Sequence, residues 1–217
     1  MMITKLLIAM LMTTAAPPDS FNTNSYESPL NYIDSYPCSP CDEKEYESER
    51  VGKNPLRLTR SRLNMAAVVV CMSLDYGADP YEMVAIAWVE TRLNPNLINR
   101  GKDAGLFQVN CKINWKRFGY HKPFLHIKSK KRRRLKAINQ CAEAQLNPEE
   151  SFRNADHILR ILRGKRSCRG DKVYSCYNGG PGWAIVHKKR ATGYRKKVKR
   201  VKRILKKYYS ELFDFGC

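Results

Sequence analysis

The 217-residue chain predicts a mainly helical domain with at most one small hairpin. Three observations carry that expectation. Apolar residues recur at helical spacing in four separate stretches, beginning near Leu63, Met83, Phe152 and Tyr194. Two of these stretches open with a capping residue, a proline and an acid in that order, Asp79-Pro80 with Glu82 and Asn147-Pro148-Glu149. Only Asp103 to Asn110 reads as extended, a short strand or hairpin edge.

Taken in order, Met1 to Ala16 has Lys5, a short apolar centre from Leu6 to Met12, and small residues at its end. That is the outline of a secretory signal, with cleavage expected after Ala15 because Pro17 obstructs the next position. It is too short to span a bilayer, and no later segment is apolar enough to do so. The expected location is therefore outside the cytoplasm, periplasmic or extracellular, a virion included. Residues 17–58 are rich in Asn, Ser, Tyr, Pro and acids without periodicity, and read as an acidic linker. The first 50 residues carry 8 acidic and 3 basic side chains, a net of −5; the remaining 37 basic and 12 acidic residues leave +25. Residues 59–217 have the length of one domain.

In that domain Leu63, Ala66, Ala67, Val70 and Leu74 share a helical face, and Gly77 ends the run. The next helix starts at the Asp79 cap and runs through Met83-Val84-Ala85-Ile86-Ala87-Trp88-Val89, which has no polar face. Pro95 stops it by restricting Asn94. Glu90 sits in its last turn, above Ile86 and Ala87. A carboxyl on an apolar stripe has a raised pKa and can hold its proton near neutral pH. Such a group is the proton donor that glycosidic bond cleavage requires; the plain alternative is a structural Glu paired with Arg92 or capping a neighbouring helix. The segment after Asn110 is basic and loop-prone; its His121 and His126 lack partners at metal spacing. Lys128 to Lys136 is a charge run, ordinarily a solvated face. A further helix has the stripe Phe152, Ala155, Ile158, Leu159 and Leu162, and the last, from Tyr194 to Phe213, has Val198, Val201, Leu205, Tyr208 and Leu212.

Glu90-Thr91, Gly105-Leu106-Phe107-Gln108, Tyr177-Asn178-Gly179-Gly180 and Gly193-Tyr194 to Val198 follow one another at intervals that resemble the lytic transglycosylases of the lysozyme-like superfamily. The small secretion-associated members are most similar, over roughly Leu63 to Val201. The resemblance implies a lysozyme-like α+β fold with a small hairpin at the cleft. It implies cleavage of the β-1,4 bond between N-acetylmuramic acid and N-acetylglucosamine in peptidoglycan, with closure of a 1,6-anhydro ring and no cofactor or metal. It makes Glu90 the catalytic acid, Tyr177 its orienting hydroxyl, Asn178 and Tyr194 substrate contacts, and Gln108 a cleft-lining residue. Thr91, Phe107 and Cys176 replace the usual Ser, Met and Ala, which changes substrate fit rather than the reacting group. Asp103 stands where animal-type lysozymes carry a second carboxylate, so a hydrolytic muramidase using Glu90 and Asp103 is the alternative. A turn cap is the plain use of an Asp there.

Charge and cysteines complete the reading. A net charge of +20 attracts the domain to the anionic cell envelope and to the carboxylates of peptidoglycan, an effect that salt screens. A secretion machine or a phage particle is a candidate partner assembly, and the chain is expected to be a monomer. Nucleic-acid or membrane binding without catalysis is the second alternative, with the charge run and the last helix as footprints. No nucleic-acid-binding motif accompanies them, and no specific nucleic acid is expected. Eight cysteines in an exported chain favour disulfides. Cys168 and Cys176 flank a short loop and are the first pair expected; Cys38-Ser-Pro-Cys41 reads as a local disulfide rather than a metal site.

Overall fold

A computed structural model describes residues 55–99 and 102–213, apart from the side chains of residues 211 and 212. The signal-like start, residues 17–54 of the acidic segment and the CxxC within them lie outside the described residues, as do Gly101 and the side chain of Leu212. The elements are α1 (Arg60–Asp75), α2 (Pro80–Thr91), β1 (Asp103–Ala104), β2 (Val109–Asn110), α3 (Cys111–Asn114), α4 (Lys130–Ala144), α5 (Pro148–Arg163), α6 (Lys172–Val186) and α7 (Lys188–Tyr208), with short 3-10 turns between some of them. The two strands pair antiparallel, Asp103 opposite Asn110 and Ala104 opposite Val109. The fold is thus mainly α with one small hairpin, consistent with a lysozyme-like α+β architecture.

Helix α2 is the centre. The Asp79 side chain accepts the Glu82 amide at 3.1 Å, and Pro80 fills the first position. Met83, Ala85, Ile86 and Ala87 are fully buried because α1 and α7 cover the helix. Glu82 does not close a capping box. Its carboxylate is buried and pairs with Arg163 of α5, tying two elements together. The helix stops before Pro95 can act: Arg92 (φ 57°) and Leu93 (φ 63°) are both left-handed, a conformation that costs non-glycine residues on the order of 1 kcal/mol each. Burial of Leu93 in the core holds that turn in place.

A second, smaller core forms beside the hairpin from Ala104, Cys111, Trp115, Ala137, Ile138, Cys141 and Ala142. The Cys111–Cys141 disulfide runs through it. This explains α4, where the sequence shows only a charge run. The lysines and arginines are its solvated face, and four buried residues on the other side, Ala137, Ile138, Cys141 and Ala142, suffice because the disulfide at Cys141 anchors them. The expected Cys168–Cys176 bridge is also present, between the 3-10 turn Arg166–Cys168 and α6.

Other details differ from expectation. Leu56 and Leu58 are buried in the main core, so the fold extends into the last residues of the segment read as linker. Leu74 is 46% exposed and Tyr208 44% exposed, although both lie on predicted apolar stripes. Each falls in the last turn of its helix, beyond the neighbour that covers the rest. The final helix starts at Lys188, not Tyr194, and Ser210–Phe213 is a 3-10 turn.

Candidate active site

Glu90 emerges from the last turn of α2, partly buried, with the apolar body of that helix beneath it. Burial pushes its carboxyl from the ordinary 4.5 up to about 7. The negative charge of Asp103 adds to the rise, and a hydrogen bond from Tyr194 opposes it. At neutral pH the group is therefore divided between acid and carboxylate and is able either to give or to take a proton.

Tyr194, on the buried side of α7, donates its hydroxyl to Glu90 Oε1 at 2.5 Å. Tyr177 does not make that contact; its hydroxyl donates to the Phe107 carbonyl at 2.9 Å. Burial and the nearby Glu90 charge raise both phenols well above their usual range, so both remain donors. The tyrosine that holds Glu90 is thus the one from the Gly-Tyr motif, while Tyr177 fixes the Gly105–Gln108 loop from the opposite side.

That loop is pinned from several directions. Phe107 N donates to Ser151 Oγ at 3.2 Å, and the Thr91 hydroxyl donates to the Leu106 carbonyl at 3.0 Å. Gly105 has φ 72°, and a Cβ there would lie 1.8 Å from the Gln145 carbonyl oxygen, so only glycine fits. Gln108 is itself left-handed (φ 49°) and turns its amide back on the loop, donating to Leu97 O at 3.1 Å and Gly105 O at 3.0 Å. Asn99 links this to the hairpin: its Nδ2 donates to Asp103 Oδ2 at 3.0 Å and to Gln108 Oε1 at 3.2 Å, and its Oδ1 accepts the Asp103 amide. The other carboxylate oxygen, Asp103 Oδ1, is buried without a partner among the described residues.

The structure brings Asp103, Tyr177 and Tyr194 within electrostatic reach of Glu90. Asn178 is exposed on α6, two residues before Gly180 breaks the helix with φ 83°. Asn99 and Ser151 have no counterpart among the residues singled out from sequence. A lone Asn in a loop and a Ser in a helix carry no periodic signal, and only their long-range partners reveal them. Among the described residues no three His, Cys, Asp or Glu side chains gather as metal ligands would.

A family model described as Transglycosylase SLT domain matches residues 71–122. The match supports the lytic transglycosylase superfamily. It spans the last five residues of α1, all of α2 with Glu90, and the hairpin with Asp103 and Gln108. At the level of that family it supports glycosidic bond cleavage on peptidoglycan. No curated protein and no solved structure matches the chain.

Proposed function

We propose that the protein is a peptidoglycan lytic transglycosylase in which Glu90 performs both proton transfers. The observation that carries this reading is a carboxyl raised to about 7 on an apolar helix, hydrogen-bonded by Tyr194, inside the segment that matches the transglycosylase family. Protonated Glu90 donates to the glycosidic oxygen between N-acetylmuramic acid and N-acetylglucosamine as positive charge builds on the sugar ring. The bond from muramyl C1 to that oxygen breaks, and the leaving sugar's oxygen keeps the electron pair and the proton as a hydroxyl. Glu90, now a carboxylate, accepts the proton of the muramyl 6-hydroxyl, whose oxygen closes the 1,6-anhydro ring. Tyr194 stays protonated throughout and steadies the carboxylate stage. Asn178 and Gln108 belong to the sugar-binding walls, Gln108 by shaping the loop.

Asp103 acts as a charge that tunes Glu90 rather than as a nucleophile: its charge raises the Glu90 pKa, and Asn99 ties its Oδ2 and backbone amide into the hairpin. On this account Asp103→Asn lowers activity modestly. The export signal, a periplasmic or extracellular site, a monomeric state and attachment to secretion or phage machinery belong to the same proposal. It rests there on the apolar start of the chain and on the +25 carried after residue 50.

Mass spectrometry of muropeptides released from purified sacculi tests the reaction type. Anhydro-muropeptides without a reducing end are expected. Reducing-end products, with Asp103→Asn losing several orders of magnitude, would make the enzyme a hydrolytic muramidase.

A further inference from the structure

The basic helix α7 cannot itself lie on a membrane. Its apolar stripe of Ala191, Tyr194, Val198, Val201 and Leu205 is buried in the core. The elbow that precedes it is different. At the end of α6 the side chains of Ile185 and Val186 are 58% and 75% exposed, and the next turn begins α7 with Lys188, Lys189 and Arg190. Val186, His187 and these three basic residues line a concavity of about 450 Å³. Trp183 stands just behind, its ring 5.2 Å from that of His187. Farther along α7, Arg195, Lys196, Arg200 and Arg203 edge a second concavity of about 710 Å³, together with the Lys199–Asp171 ion pair. α7 contains no acidic residue in its 21 positions.

We propose that this elbow is a contact site for an anionic phospholipid bilayer, with Ile185 and Val186 entering the headgroup region and Lys188, Lys189 and Arg190 pairing with lipid phosphates. The combination of chemistries selects the partner. A nucleic acid or an anionic glycan offers charge to the basic residues but no apolar layer for two adjoining aliphatic side chains. A bilayer offers both, one beneath the other. An aromatic residue at the boundary, here Trp183, suits the same depth. Anchored this way, the enzyme is held at the membrane face rather than free between membrane and wall.

Co-sedimentation of the full-length, disulfide-intact protein with vesicles containing about one-third phosphatidylglycerol, or none, tests this at roughly physiological salt. Binding to the anionic vesicles, with a blue shift of tryptophan emission, is expected. The shift reports Trp183, since Trp88 and Trp115 are 4% and 9% exposed. Replacing Lys188, Lys189 and Arg190 with Gln should weaken binding roughly a hundredfold. The pair Ile185→Ser and Val186→Ser should weaken it at least about tenfold and remove the blue shift, without changing digestion of solubilised glycan strands. Three results would overturn the proposal: no preference for anionic vesicles, full binding by the Ile185→Ser/Val186→Ser protein, or tighter retention of short duplex DNA than of vesicles at the same salt. A dimer that this pair of substitutions dissociates, in a protein that ignores vesicles, would place a second copy on the elbow instead.

Discussion

If Glu90 is held at a pKa near 7 by burial, replacing it should stabilise the protein while ending catalysis. The folded carboxyl keeps its proton up to about pH 7, whereas the unfolded chain releases it near 4.5. Between those values the native state binds more protons than the unfolded state, so the stability of the unmodified protein falls as pH rises through that window. The full shift corresponds to about 3 kcal/mol at about 1.4 kcal/mol per unit. Glu90 is only partly buried, and solvent screens some of that, which leaves about 1–3 kcal/mol above pH 7. Gln is nearly isosteric and carries no charge. Glu90→Gln should therefore raise the melting temperature by roughly 3–10 °C at pH 8 for a domain of this size, and hardly at all at pH 4. Paired calorimetric scans of both proteins at the two pH values make the comparison. A Glu90→Gln protein no more stable than the original at pH 8, or equally stabilised at pH 4, would refute the claim that this carboxyl sits in a desolvating pocket.

The neighbours of Glu90 act in opposite directions, and the pH dependence of turnover should separate them. Tyr194→Phe deletes the hydrogen bond that favours the carboxylate and should move the alkaline limb of activity upward, whereas Asp103→Asn deletes a repelling charge and should move it downward. Gly105→Ala should destabilise by more than about 3 kcal/mol, measured by urea titration, since the added methyl collides with the Gln145 carbonyl at a left-handed position. Removing Cys111–Cys141, which closes a longer loop than Cys168–Cys176, should cost about 3.6 kcal/mol against about 2.5 kcal/mol, read from the denaturation midpoints of the Cys→Ser pairs.

What could be read from the chain alone was whatever is local. The Asp79-Pro80 and Asn147-Pro148 starts were legible because a cap, a proline and an acid act within one turn. Glu90 was legible because an acid above Ile86 and Ala87 is an anomaly at helical spacing. Helix α4 was not, because Lys130 to Lys136 swamps the weak apolar signal of Ala137, Ile138 and Cys141. The part in doubt at the site is tertiary. Whether Tyr177 or Tyr194 reaches Glu90 depends on how α6 and α7 cross, which no local sequence pattern sets; α6 is broken at Gly180, just before Pro181. Gln108 was expected to line the cleft; its backbone is left-handed, and its side chain donates to the Leu97 and Gly105 carbonyls. The clamp made by Asn99 requires three residues, spread over ten positions, to meet across a hairpin.

The central claim is that one carboxyl, titrating near neutrality, governs bond cleavage. Its most direct test is the pH profile of kcat/KM for muropeptide release by the unmodified protein, because that quantity reports the ionisation of the free enzyme. An alkaline limb centred near pH 7 is predicted, falling about tenfold per unit above it, with no measurable release at any pH once Glu90 is Gln. A profile level to pH 9, or near-normal turnover by the folded Glu90→Gln protein, would contradict the account.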